Sequence, residues 1–258
     1  MNQHYQKLNI EQRGSLCIVT IDTGNKANAL CLDTLQELLQ CARSLHDSSD
    51  TRCVILRGQE RWFTGGMDLG ALLQMKQEGL SLAQARRAAK LGASVCQAWE
   101  DIEPMTIAAI EGACVGGGVA LSMALDLRVC AKGSFIYVPE IERGMNMSWQ
   151  SVPRSVALMG PARSKRLFIL AERFDAEQAL NAGWSDYICE TGIALDKALE
   201  LAAKLEQTPA MASAMCKQAI NVAANALNHA VSYMDADQWI VAQQSEDFER
   251  AIEAFLKP

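Results

Sequence analysis

The stretch from Thr106 to Ala124 (TIAAIEGACVGGGVALSMA) limits the possible folds more than any other part of the chain. It is almost wholly apolar and close to the roughly 20 residues that cross a bilayer. Yet it contains Glu111 and four glycines, runs into Asp126 and Arg128, and has no flanking basic cluster. A membrane span tolerates few such charges. The stretch therefore reads as a buried strand from Met105 to Ile110, a glycine turn, and a buried helix over Val119 to Leu125. Such elements need a sizeable core. With 258 residues, 50% hydrophobic and 21% charged, the chain can build one. The low hydrophobicity and high charge of disordered chains are absent.

The same strand, turn and helix order recurs upstream. Cys17 to Ile21 (CIVTI) is a β-branched run, followed by a turn at Gly24 and helical spacing over Asn28 to Ser44. Arg52 to Arg57 (RCVILR) is a second strand, then comes the turn FTGGMDL, and Asp68 opens a helix with Leu69, Leu72 and Leu73. Leu80 to Ile102 reads as a long amphipathic helix with Leu82, Ala85, Ala89, Val95 and Trp99 facing inward. Strands are also expected at Leu127 to Ala131 and Ser134 to Val138. Beyond about Gln150 helices dominate: one starting at Pro161, then Asp175 to Ala182, Leu195 to Glu206, Ala210 to Leu227 and Val231 to Phe255. The fold class is α/β. We divide the chain into an α/β core over 1–195 and a helical region over 196–258. The three strand–turn–helix units differ in spacing and make only a weak internal repeat.

Charge and cysteine usage exclude several function classes. Lys and Arg number 24 against 30 Asp and Glu, a net charge of −6, with no dense basic run. Nucleic-acid binding is not expected. The nine cysteines include no CxxC pair, so zinc and redox motifs are absent. They read as small buried hydrophobes in a reducing, cytoplasmic setting. The leader MNQHYQKLNI lacks the apolar core of a signal peptide. His4, His46 and His229 are too scattered to suggest a histidine-based triad or a zinc site.

The two glycine turns, FTGGMDL and EGACVGGGVAL, carry the chemistry. Glycine lets a backbone approach a ligand closely and adopt positive φ. The start of a helix offers unpaired N–H groups and a positive dipole end. Two such N–H groups aimed at one point would form an oxyanion hole. Tight packing alone also explains each turn taken singly. The GxGxxG dinucleotide spacing and the phosphate-binding GKS/T loop are both missing. Asp68 reads as a helix cap and Glu111 as structural.

Taken together, NALCLDTLQEL (28–38), FTGGMDL (63–69), IAAIEGACVGGGVALSMALDLRV (107–129), PEIERGM (139–145) and DAEQALNAGWSDYI (175–188) resemble the crotonase family, the enoyl-CoA hydratases and isomerases. The resemblance covers nearly the whole chain. It implies a crotonase-like spiral of ββα units and a helical C-terminal trimerisation region, as a homotrimer or as a hexamer built as a dimer of trimers. It implies an acyl-CoA substrate whose thioester oxygen is held by the N–H groups of Met67 and Gly117, with no cofactor beyond that substrate and no membrane partner. Thr64, Gly65, Gly66, Asp68, Leu69 and Gly116 would then contact substrate or CoA.

The resemblance also exposes a departure. Hydratases of this family use two glutamates. The first falls here on Ala120; the second is Glu140. One carboxylate suits proton transfer from one carbon to another, so the resemblance favours a Δ3-to-Δ2 enoyl-CoA isomerase. A hydratase and a non-catalytic CoA-binding homologue are the alternatives. Glu142, two residues from Glu140, would share its face in extended chain or pair with Arg143. No aspartate stands in the Asn146 to Trp149 region, where dehalogenase relatives keep a nucleophile. Met145, Met147 and Trp149 would line an acyl pocket or simply fill core. Phe255 and Lys257 are candidates to reach a neighbouring subunit's CoA.

Overall fold

The apolar runs of the sequence become the inner strands of a sheet. The computed structural model describes residues 5–25, 27–46, 48, 50–70 and 79–256. Its larger sheet contains β1 (Leu8–Arg13), β2 (Leu16–Ile21), β3 (Cys53–Arg57), β5 (Met105–Ile110), β7 (Leu127–Ala131) and β10 (Tyr187–Cys189), in the order β1-β2-β3-β5-β7-β10. Its smaller sheet is β4 (Trp62–Thr64), β6 (Ala113–Val115), β8 (Phe135–Tyr137) and β9 (Phe174–Asp175). All neighbours pair in parallel except β1 with β2 and β8 with β9. The chain passes from the larger sheet to the smaller at β3–β4, at β5–β6 and at β7–β8, so each turn of the spiral contributes one strand to each sheet.

Strand periodicity explains how both faces of the larger sheet are covered. Val54 and Leu56 of β3 join Val19, Ile21, Ala108 and Ile110 on one face. Cys53 and Ile55 join Ile18, Ile107 and Val129 on the other. Alternate residues point to opposite faces, and apolar residues at every position suit a parallel sheet buried on both sides. The first face is packed by α1 (Leu32–His46), through Leu35 and Leu38, and by α2 (Leu82–Glu100), through Val95 and Trp99. The second is covered by α6 (Ala194–Glu206), through Ala198 and Leu201. Glu111 accepts hydrogen bonds from the N–H groups of Gly192 (2.8 Å) and Ala194 (2.5 Å) at the start of that helix. Its role there is structural, as the sequence indicated.

The smaller helices order the rest. α3 (Gly117–Met123) begins within the triple glycine, two residues before the expected Val119. α4 (Ser151–Phe168) is broken at Gly160, where φ is 75° and ψ is 167°, and Pro161 restarts it. Proline suits that first helical position. α5 (Ala176–Ala182) is capped by Asp175 and Gln178. The tail holds α7 (Ala210–Ala224), α8 (Asn228–Ser232), α9 (Asp235–Ala242) and α10 (Glu246–Leu256).

Several expectations need correction. β1 was not anticipated, because LNIEQR sits at a sheet edge and carries charge on its open face. β4 and β6 lie inside segments read as turns; strands this short leave little periodicity to detect. Val231 to Phe255 is not one helix but parts of three. Leu82 is exposed, because it sits in the first turn of α2, ahead of the face that meets the core. Leu72 and Leu73 lie outside the described residues.

The tail is tied to the core by buried polar contacts. Lys217 on α7 donates to the carbonyls of Ile102 (2.6 Å) and Pro104 (2.8 Å) and pairs with Asp126 at 2.8 Å. Further along, Gly144 lets the backbone of Phe248 in α10 approach so closely that a Cβ on Gly144 would lie 2.5 Å from its nitrogen. The nine cysteines are all free and seven are buried. Among the described residues, no helix is long and apolar enough to cross a membrane, and no cluster of His, Cys, Asp and Glu could hold a metal ion.

Candidate active site

The two glycine turns meet. Gly66 has a φ of 81°, and a Cβ there would lie 2.7 Å from the carbonyl oxygen of Val115 and 3.2 Å from the nitrogen of Gly117. Only glycine allows both the left-handed backbone and this approach. Thr64 fixes the first turn from below. Its hydroxyl donates to the carbonyl of Asn28 at 2.6 Å and accepts from the N–H of Gly66 at 3.1 Å, while its methyl group packs on Gly118.

Backbone bonding then orients two N–H groups. The N–H of Leu30 donates to the carbonyl of Gly66 (2.7 Å), and that of Asp68 donates to the carbonyl of Leu30 (2.9 Å). Leu30 and Met67 form a parallel bridge, so the N–H of Met67 points away from Leu30. In the second turn, Gly116 donates to the carbonyl of Tyr137 (2.8 Å), and its own carbonyl accepts from Ala120 (3.1 Å). Gly117 is the first residue of α3, where an N–H has no acceptor within the helix.

Glu140 follows β8 and reaches the same place. Its Oε1 packs on Gly116, where a Cβ would lie 2.4 Å from it. Its Oε2 is buried with no hydrogen-bond partner among the described residues. Burial raises its pKa to about 7, against the smaller opposing effects of its own backbone N–H and the charge of Arg143. The carbonyl of Glu140 accepts from the N–H groups of Arg143 (3.0 Å) and Met145 (2.9 Å), which holds the turn rigid.

Trp149 forms the opposite wall. A Cβ on Gly92 would lie 1.9 Å from its Cε2, and one on Gly117 would lie 2.7 Å from its Cη2 and Cζ3. The indole thus fills a slot between α2 and the start of α3. Trp149 (φ 60°) and Gln150 (φ 59°) are both left-handed, a conformation that needs support from its surroundings. Arg154 provides it by donating to both carbonyls at 3.3 Å, while itself pairing with Glu100 at 2.7 Å. Asp235 adds a bond from the N–H of Gln150 at 2.9 Å.

These groups enclose a cavity of about 190 Å³. Of the residues singled out in the sequence, Gly65, Gly66, Met67, Leu69, Gly116, Gly117, Glu140, Met145, Met147 and Trp149 line it. Glu140 is the single acid among the described lining residues. Thr64 and Asp68 do not line it. Thr64 is buried beneath the turn, and Asp68 accepts from the N–H of Gly70 at 2.9 Å as a helix cap. Glu142 is also absent from the walls. The chain there is a tight helical turn, Ile141–Arg143, not an extended strand, and Glu142 instead accepts a hydrogen bond from the hydroxyl of Tyr137. Phe255 belongs to α10; its side chain and Lys257 lie outside the described residues.

Ala85 and Ala89, expected to face inward, line the cavity together with Ala88 and Gly92, which sequence reading missed although their spacing of three and four was the available signal. Trp239 and Gln243, also one turn apart, arrive from the distant tail. Ala120 is fully buried and brings no carboxylate to the helix that opens at Gly117.

The family model for enoyl-CoA hydratase/isomerase matches residues 11–257. A short-chain-enoyl-CoA hydratase of Clostridium acetobutylicum is 29% identical over 82% of this chain and 80% of its own. A peroxisomal Δ(3,5)-Δ(2,4)-dienoyl-CoA isomerase of Arabidopsis thaliana is 30% identical over 70% of this chain and 69% of its own. The crystal structure of an enoyl-CoA hydratase from Bacillus halodurans superposes with a TM-score of 0.88, at 18% identity, over 96% of this chain and all of that one. With its alternating two-sheet spiral and the span of the family match, the chain belongs to the enoyl-CoA hydratase/isomerase family.

Proposed function

We propose that the protein is a Δ3-to-Δ2 enoyl-CoA isomerase. The observation that carries this reading is Glu140, the single acid among the described lining residues, its pKa raised to about 7 beside the paired turns. In this scheme the thioester oxygen accepts hydrogen bonds from the N–H groups of Met67 and Gly117. Glu140 removes a proton from C2 of a 3-enoyl thioester. The C–H electron pair becomes the C1–C2 double bond of a dienolate as the carbonyl electrons move onto the thioester oxygen, and the two N–H groups stabilise that charge. Glu140 then returns the proton at C4, leaving the double bond between C2 and C3. A pKa near 7 suits a group that must both take and give a proton. The scheme uses no cofactor; the CoA thioester is the substrate. The cavity is smaller than the about 300 to 1,000 Å³ that encloses a drug-sized ligand. It suits the acyl and thioester end, with the body of CoA outside.

Hydration is the second reading, favoured by the hydratase names among the relatives. It needs another group to handle water, and Ala120 and the outward pairing of Glu142 leave none of the acidic type in the described walls. The test follows absorbance of the α,β-enoyl thioester. A rise with trans-3-hexenoyl-CoA, without loss from crotonyl-CoA, supports isomerisation. Loss from crotonyl-CoA makes the protein a hydratase. Activity toward neither, with binding retained, makes it a CoA-binding homologue.

Self-association into trimers or hexamers belongs to the same proposal. Met211, Met215, Ile220 and Val222 on α7 are all exposed, an apolar display that suits burial between subunits. Sedimentation at micromolar concentration decides between monomer, trimer and hexamer.

A further inference from the structure

Two buried side-chain atoms on cavity-lining residues have no hydrogen-bond partner among the described residues, Glu140 Oε2 and Gln243 Nε2. The proton shuttle accounts for the first and leaves the second unexplained. Gln243 closes α9, one turn after Trp239, and its N–H donates to the carbonyl of Trp239 at 3.2 Å. The helix is anchored at its other end. Asp235 holds the N–H of Gln150, and Asp237 pairs with Arg86 of α2, with 3.0 Å from Nη2 to Oδ2. The amide is therefore carried on a fixed element. Trp239, one turn before it, packs on the apolar cluster of Leu69, Met145, Phe248 and Ile252. A buried amide N–H group without a partner is costly, and an apolar side chain of the same size avoids that cost. A pocket for hydrocarbon chains alone has no use for it.

We infer that Gln243 is a specificity-determining residue whose amide hydrogen-bonds a hydroxyl on the acyl chain of the substrate. The inference rests on the acyl-thioester reading of the cavity. A hydroxyl is both donor and acceptor, so it satisfies an amide directly. A plain hydrocarbon chain leaves the amide buried and unpaired in the complex. Sites built to bond a substrate hydroxyl discriminate strongly against analogues that lack it.

The test is binding of unreactive thioesters, measured by calorimetry. Hexanoyl-CoA is compared with its 4-, 5- and 6-hydroxy analogues, on the wild type and on Gln243→Met. At least one hydroxy analogue is expected to bind the wild type ten-fold or more tightly than hexanoyl-CoA, and Gln243→Met is expected to bind the pair within two-fold. The variant is also expected to unfold at or above the wild-type temperature, because the buried Nε2 it removes has no partner among the described residues. Gln243→Leu serves in its place if that variant does not fold. No preference in the wild type, or a preference that survives in the variant, overturns the inference while hexanoyl-CoA binding keeps the thioester reading. Failure of every thioester to bind the wild type overturns both.

Discussion

The indole of Trp149 lies so close to Gly92 that the two positions cannot both carry a side chain in this arrangement: a Cβ on Gly92 would sit 1.9 Å from Cε2. A glycine in the middle of α2 is otherwise unfavourable by about 1 kcal/mol relative to alanine. Here it makes room for a wall of the cavity. Gly92→Ala is expected to destabilise the protein by about 1 to 3 kcal/mol through overpacking, despite the better helix propensity of alanine. Urea unfolding checks this, and a shift in tryptophan emission reports displacement of the ring.

The burial of Glu140 sets the pH response of turnover. As a base it must be ionised, so kcat/KM is expected to rise with pH to a plateau, with a midpoint near 7. Glu140→Gln is expected to lower kcat by about 10² to 10⁴-fold while leaving thioester binding in place. A profile flat from pH 5 to 9 would remove Glu140 from the proton-transfer role.

The same group links pH to stability. Its folded pKa, about 7, lies above the ordinary value of 4.5. The folded state therefore holds this proton more tightly, and between about pH 4.5 and 7 it binds more protons than the unfolded state. Stability attributable to Glu140 falls as pH rises through that window. The full cost is about 3 kcal/mol above pH 7, at 1.36 kcal/mol per tenfold change in proton affinity. Glu140→Gln is expected to be more stable than the wild type at pH 8, with the gain vanishing near pH 4. Denaturation midpoints across that range give the comparison.

Glu142 is a control. Its carboxylate is taken by the hydroxyl of Tyr137, away from the cavity. Glu142→Gln and Tyr137→Phe are each expected to leave kcat within about three-fold of wild type, as surface changes usually do. A hundred-fold loss in the first variant would make Glu142 the missing second carboxylate.

The N–H of Gly117 is open to a direct steric challenge. Any side chain there meets the ring of Trp149 at 2.7 Å. Gly117→Val is expected to remain soluble and to lose turnover by about 10²-fold or more, the loss typical of removing one oxyanion donor. Wild-type kcat in this variant would withdraw the N–H of Gly117 from the mechanism.

The legible parts of the molecule were those with local causes. Val54 to Leu56 is apolar at every position because both faces are covered, and Gly66, Gly116 and Gly117 stand out as glycine runs between strand and helix signals, although what they approach lies far along the chain. Glu140 was found through its motif, and its unpartnered oxygen needed coordinates. Gly92 and Trp149 lie far apart in sequence, and neither has meaning without the other. Gln243 was illegible for the same reason. Helical spacing in the tail gave a single long element, whereas α8, α9 and α10 break because the chain must bend to bring Trp239 and Phe248 onto the core.

In the proposed scheme the two N–H groups that hold the thioester oxygen belong to the main chain, one from each of two successive coils of the spiral. Their placement depends on glycines and strand register, and on almost nothing that a side chain does. A side chain such as Ala120, or the indole that fills the slot beside Gly92, can therefore vary without disturbing the proposed charge-binding groups. A scaffold arranged this way separates what is difficult to reinvent from what is easy to vary. New reactions become a matter of exchanging walls around a fixed anchor.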